Sequence, residues 1–123
     1  QENIFFIGRH PHQALFKHCS AIVHHGGAGT THSASLCGRP SIVIPFMDEQ
    51  LFWACTLEKL GLSPKPLPAK KVNEKLLAAR LTTVLTDESY QKNASSIGPT
   101  LSSTKGVQNA VELIQTTFKT ISL

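Results

Sequence analysis

Between Ile22 and Phe46 the chain reads IVHHGGAGTTHSASLCGRPSIVIPF. An apolar strand ends in two histidines, a glycine-rich turn opens a run of small residues, and a second apolar run follows. Two apolar strands separated by one helix's length of chain cannot form a hairpin. The alternation of strand, helix and strand indicates a parallel pair joined by a crossover helix. The sequence predicts a strand at Ala21-Ile22-Val23 and a turn over Gly26-Gly27-Ala28-Gly29. Thr30 or Thr31 can cap the helix that follows, which stops at Cys37-Gly38 ahead of Pro40. The next strand, SIVIPF, is apolar throughout, as parallel strands buried on both faces are.

The same spacing extends in both directions. Ile4-Phe5-Phe6-Ile7, ended by Gly8, suits a buried strand, and HQALFKHC after Pro11 suits a short helix with Leu15 and Phe16 inward. A helix from about Gln50 to Leu60 carries Trp53, Leu57 and Leu60 on one stripe and ends at Gly61. SPKPLPAKK is extended, with one short edge strand. A helix from Val72 to Leu85 places Leu77, Leu81 and Val84 at helical spacing, and Asp87 can cap a further short helix. Gly98-Pro99 breaks the pattern, and a last helix sets Val107, Val111, Ile114 and Phe118 in register. The expected fold class is α/β: a Rossmann-like parallel sheet with right-handed crossovers, flanked by helices, in one domain spanning residues 1–123.

A chain of 123 residues can bury a core without disulfides or a structural metal. Cys19, Cys37 and Cys55 are odd in number and form no C-x-x-C pair, so they read as reduced thiols in a cytoplasmic setting. No apolar run approaches the ~20 residues of a membrane span, and no signal-peptide pattern opens the chain. Beginning at Gln1 and already strand-like by Ile4, the chain reads as a segment of a longer protein. The formal net charge of +4 is spread out, and its one cluster (Lys65, Lys70, Lys71, Lys75) sits among prolines as a solvated loop. No aromatics interleave with it to stack on bases, which argues against a nucleic-acid surface.

In an open parallel sheet, ligands sit beyond the carboxyl ends of the strands. The turn from His24 to Thr31 has that position. Glycines remove the Cβ atoms that would block close approach, and a helix's first turn offers unpaired N–H groups at its positive end. With the hydroxyls of Thr30 and Thr31 and the ring of His25, the turn suits a phosphate or pyrophosphate. The competing interpretation is a tight strand-to-helix connection without ligand, and composition alone leaves both open. No Lys follows the glycines, so this is not a P-loop, and the dinucleotide fingerprint's spacing and acidic residue are missing. His10, His12, His18, Cys19, His24, His25, His32 and Cys37 are dense but show no zinc-like paired spacing, so no metal site is expected. Downstream, PFMDEQLFWA places Asp48, Glu49 and Gln50 at a second strand-to-helix loop on the same edge. These side chains either bind hydroxyls or merely cap the helix. A phosphate cradle beside a polyol clamp describes a nucleotide-sugar site.

HHGGAGTTHSASLCGRPSIVIPFMDEQLFWA resembles the donor-binding, carboxy-terminal half of inverting, nucleotide-sugar-dependent glycosyltransferases of GT-B fold. The likeness is to the fungal and bacterial sterol 3-beta-glucosyltransferases, with the glycopeptide-antibiotic glycosyltransferases beside them, and it extends over nearly the whole chain. The resemblance implies that His25, Gly27, Ala28, Gly29 and Thr30 hold the diphosphate and that Glu49 and Gln50 contact the sugar hydroxyls. It also sets Arg9, His10 and His12 along the nucleoside. Three positions depart from the pattern. Glu49 stands where Asp is usual, moving the carboxylate outward by ~1.5 Å for the added bond. Arg9 occupies the position of a base-stacking Trp in plant relatives, and Ser33 that of their ribose-binding Glu.

By the same resemblance the co-substrate is a UDP-sugar, UDP-glucose above all, used without a metal or other cofactor. The acceptor is a lipophilic small molecule such as a sterol. The acceptor pocket and the general base belong to an amino-terminal domain absent from this chain, so no catalytic residue is expected within it. Nucleic acid is not an expected partner, and contact with a membrane would be peripheral, through the full-length protein. A non-catalytic nucleotide-binding module, completed or regulated by a partner chain, is the alternative.

Overall fold

The computed structural model describes residues 3–122. Its elements run α1 (His12–Phe16), β1 (Ile22–His24), α2 (Ala28–Leu36), β2 (Ser41–Val43), α3 (Asp48–Lys59), a 3-10 turn (Ala69–Lys71), α4 (Glu74–Thr86), α5 (Glu88–Ser103) and α6 (Gly106–Ile121). β1 and β2 are parallel, with Ile22 opposite Ser41, Val23 opposite Ile42 and His24 opposite Val43. The β1-α2-β2 unit is thus the crossover that the glycine turn required.

The sheet is smaller than the apolar runs suggested. Ile44 donates to the His24 carbonyl and prolongs the ladder by one bond, and the next amide on that side, Phe46, donates to Gln50 Oε1 instead of to β1. On the other side of β2, Leu67 donates to Val43 and Ala69 to Pro45, at 3.1 and 3.0 Å. The segment expected as an edge strand therefore follows β2 through two bonds without becoming a regular strand, being interrupted by prolines. Ile4–Ile7 is not a strand. Phe5 and Phe6 are 90% and 94% exposed, and the segment adopts no regular element. An apolar tetrapeptide becomes a strand only where a neighbour supplies both a ladder and a covering face, and it has neither among the described residues.

The helices differ from expectation at two points. The cap of α2 is Gly27, with no side-chain hydrogen bond, so Thr30 and Thr31 lie inside the helix. Asp87 caps α5 through a bond from the Ser89 amide, as its position suggested. That helix, however, runs through Gly98 and Pro99 to Ser103 instead of breaking. Packing accounts for this. Gly98 lies against the end of α2, where a Cβ would sit 3.1 Å from the Leu36 carbonyl oxygen. Gln91 also ties α5 to the Gly38 carbonyl. These contacts outweigh the one helical bond that Pro99 cannot make.

The core forms two clusters. Val43, Ala54, Leu57, Leu62 and Ala94 make one, with Ile97 against them. Phe16, Ile22 and Ala34 make the other, flanked by Leu15, Cys19 and Cys37. All three cysteines are free thiols. Of the stripe expected on α3, Leu57 is buried and Leu60 is half exposed. α6 has the predicted apolar register, yet Val107, Val111, Ile114 and Phe118 are all exposed. Among the described residues, no helix is long and apolar enough to cross a membrane.

Candidate functional site

The carboxyl end of β1 delivers His24 and His25 into the turn. Gly26 adopts φ +91°, a left-handed conformation that L side chains resist. Its position is tight as well: a Cβ there would meet the Gln50 carbonyl oxygen at 2.8 Å and Val43 Cγ1 at 2.9 Å. The glycine therefore does two things. It turns the chain, and it lets the β1–α2 loop touch the first turn of α3. The two loops expected to lie side by side adjoin through this residue.

Both histidines bond to the turn they precede. The Gly26 amide donates to His24 Nδ1 at 3.0 Å, and the Gly27 amide donates to His25 Nδ1 at 3.2 Å. A backbone N–H can only donate, so each Nδ1 is unprotonated and each neutral ring carries its proton on Nε2. His25 is exposed, and its Nε2–H has no hydrogen-bond partner among the described residues. Its ring lies over Gly27, where a Cβ would come within 2.7 Å of Cε1. His24 is half-buried, and its Nε2 lies 3.0 Å from Ser41 Oγ. Burial above all, then the neighbouring charges of His25 and His12, push the His24 pKa down from 6.5 to about 4.

Thr31 donates to the Gly27 carbonyl at 2.9 Å, closing the first helical bond of α2. The amides of Ala28, Gly29 and Thr30 have no partner among the described residues. The donors this turn leaves unpaired are thus three amides and the His25 Nε2–H. The Gly27 amide is spent on His25 and the Thr31 amide on the helix. Ala28 and Gly29 are exposed, and a Cβ on Gly29 would meet nothing within 4 Å, so that surface is open to a ligand. Thr31 is only 5% exposed and its hydroxyl is unpaired within the fold. It lines an apolar cleft of about 350 Å³ between α2, α3 and α5, which leaves Thr30 as the hydroxyl nearer the surface.

In the second loop, Met47 precedes α3 without a side-chain cap, so neither Asp48 nor Glu49 caps the helix. Both are exposed in its first turn, where the helix dipole favours a carboxylate. Gln50 is buried, and its Oε1 accepts the Phe46 amide at 2.8 Å. It staples the loop shut and keeps two Nε2–H donors. Arg9, His10 and His12 are exposed, with Arg9 and His10 ahead of α1 and His12 opening it. The His12 ring stacks on Phe16 at 4.9 Å. Among the described residues, no three His, Cys, Asp or Glu side chains gather as a metal site.

His24, Ser41 and Gly26 shape the turn without having been among the expected ligand-binding residues. The first two are 17 residues apart, and only the β1–β2 register joins them.

A family model described as the erythromycin biosynthesis protein CIII-like C-terminal domain matches residues 1–114. The chain belongs to that family. Over 111 residues, 90% of this chain, it is 35% identical to a sterol 3-beta-glucosyltransferase of Arabidopsis thaliana and covers 18% of that protein. An O-mycaminosyltylonolide 6-deoxyallosyltransferase of Streptomyces fradiae is 36% identical over 101 residues, which are 82% of this chain and 24% of that one. The chain thus spans a quarter or less of these two relatives. Among solved structures, the glycosyltransferase VinC in complex with dTDP superposes with a TM-score of 0.79 at 24% identity, covering 94% of this chain and 29% of the other. The glycosyltransferase of kitacinnamycin gives 0.76 at 23% identity, over 87% and 28%. The α/β fold of this family member is that of the carboxy-terminal half of GT-B glycosyltransferases.

Proposed function

We propose that this domain binds the nucleoside diphosphate sugar of a glycosyltransferase whose acceptor pocket and general base lie in another domain. One observation carries the proposal: three unpaired amides at the start of α2 share one turn with an exposed histidine whose Nδ1 is bonded to that turn, which leaves Nε2 as the donor. That set neutralises a diphosphate through hydrogen bonds and a helix dipole, without calling on a metal. Glu49 and the free Gln50 amide hydrogens lie in the adjoining first turn of α3, where a sugar's hydroxyls would follow the diphosphate. Arg9, His10 and His12 border the nucleoside side.

The donor we favour is UDP-glucose and the acceptor a lipophilic hydroxyl such as a sterol's, in line with what the sterol 3-beta-glucosyltransferase relatives are named for. The acceptor oxygen, deprotonated by a base on the other domain, attacks the anomeric carbon opposite the diphosphate, and the centre inverts. As the bond to the diphosphate breaks, charge accumulates on the leaving oxygens. The amides of Ala28 to Thr30 and His25 Nε2–H meet it with fixed donors.

Calorimetry with UDP, dTDP and UDP-glucose tests the proposal. UDP should bind weakly, because half of the enclosing cleft is elsewhere, and binding should survive EDTA. His25→Ala should weaken UDP and UDP-glucose alike by about 1.5–3 kcal/mol, the range for a hydrogen bond to a charged group. Tighter binding of dTDP than of UDP would move the donor to the deoxysugar nucleotides. Heat from none of the three would remove the donor-binding role.

A further inference from the structure

We infer that His24 is a positioning residue of the donor site, holding the glycine turn in shape without touching the ligand. The inference rests on the donor-binding role proposed above for that turn. His24 is fully engaged by the fold: Nδ1 accepts the Gly26 amide and Nε2 donates to Ser41 Oγ, both at 3.0 Å. Ser41 is 1% exposed at the start of β2, so the imidazole is strung between the loop and the buried neighbouring strand. The bond to Gly26 holds the residue that must keep φ +91°, and Gly26 leads directly to Gly27, whose amide aims His25. The order of control runs from Ser41 through His24 and Gly26 to Gly27, His25 and the α2 amides. The adjacent histidines therefore divide the work: identical in sequence and in their bond to the residue two positions on, they differ in what Nε2 faces. For His24 that is a buried serine, and for the exposed His25 no partner among the described residues.

The test uses the 123-residue chain with UDP as probe and three variants, His24→Ala, His24→Asn and Ser41→Ala. Asparagine can still accept an amide two residues on, as in an Asx turn, but is too short to reach Ser41. His24→Ala should lower UDP affinity about tenfold, in line with a lost buried hydrogen bond. His24→Asn should recover most of that loss, and Ser41→Ala should cost less than His24→Ala. In nitrogen-15 spectra, wild-type His24 should carry its proton on Nε2, and the Gly26 amide resonance should move in His24→Ala but stay near its wild-type position in His24→Asn. A proton on Nδ1 in the wild type overturns the inference. So does UDP binding in His24→Ala equal to wild type, or no recovery with asparagine in a variant that melts like wild type. If His24→Ala fails to fold, the asparagine variant and the wild-type spectrum decide alone. If wild type does not bind UDP, the donor-binding role fails instead, and the ring's tautomer with the Gly26 resonance still shows whether His24 holds the turn.

Discussion

The glycine turn and helix α6 use the chain's chemistry in opposite ways. The turn has almost no side chain, yet it is over-determined: Gly26 is pressed against Gln50 and Val43, two amides are held by two histidines, and Gln50 staples the loop it touches. α6 has a well-ordered apolar register, yet none of it is buried. Hydrophobic pattern alone would have ranked α6 above the turn as a stabilising element. The difference shows that stability here follows contact and not composition. A patterned helix contributes little until something covers its face, whereas a glycine fitted between two loops cannot be enlarged at all.

The largest test of that contrast is Gly26→Ala. The added Cβ would have to displace a backbone carbonyl and a valine in a conformation alanine resists, so unfolding should become easier by about 2–4 kcal/mol. A melting curve within a degree of wild type would show that the turn is loose after all. The next test is pH. The folded His24 stays neutral down to about 4, while the unfolded ring protonates near 6.5. Between those values the unfolded chain holds the extra proton, so stability should be complete above pH 6.5 and decline as pH falls towards 4. The loss is ~1–3 kcal/mol, and His24→Asn should flatten the profile. Denaturant titrations at pH 7.5, 5.5 and 4.5 measure it.

Gly29→Ala separates ligand space from fold space within the turn itself. Its Cβ meets no protein atom, and a helical Gly-to-Ala change stabilises by up to ~1 kcal/mol. UDP affinity should nevertheless drop about tenfold if the diphosphate lies on that face, which is about 1.4 kcal/mol. A variant that is both stabler and equally competent for UDP would move the diphosphate elsewhere. The smallest effect belongs to α6. Ile114→Ser at a 59% exposed position should change the stability of this chain by no more than about 0.5 kcal/mol. A loss of 2 kcal/mol would mean that the helix face is covered in solution and would erase the contrast.

How much was legible in sequence differs along the molecule for physical reasons. The β1-α2-β2 unit was, because glycine, small residues and a following apolar run leave no other connection. Helix positions were readable wherever periodicity and a cap agreed, as at Asp87 for α5. Ile4–Ile7 misled because an apolar run specifies burial only if a neighbour is there to bury it. Pro99 misled because its local cost is outweighed by Gly98 packing on α2, a contact between residues about sixty positions apart. At the candidate site, residue types and spacing placed the glycine turn beside the segment that opens α3, and Gly26 does lie against Gln50. They did not say which amides remain free, since Gly27 and Thr31 find partners only in the folded turn.

The sequence by itself determined the crossover, the glycine turn and the chemistry of its donors, because these rest on backbone sterics and short-range spacing. Only the tertiary structure decided which histidine is tied into the fold through both ring nitrogens. His24 and His25 are the same side chain one position apart, but the β1–β2 register brings Ser41 to His24 Nε2, whereas the exposed His25 has no partner for Nε2 among the described residues.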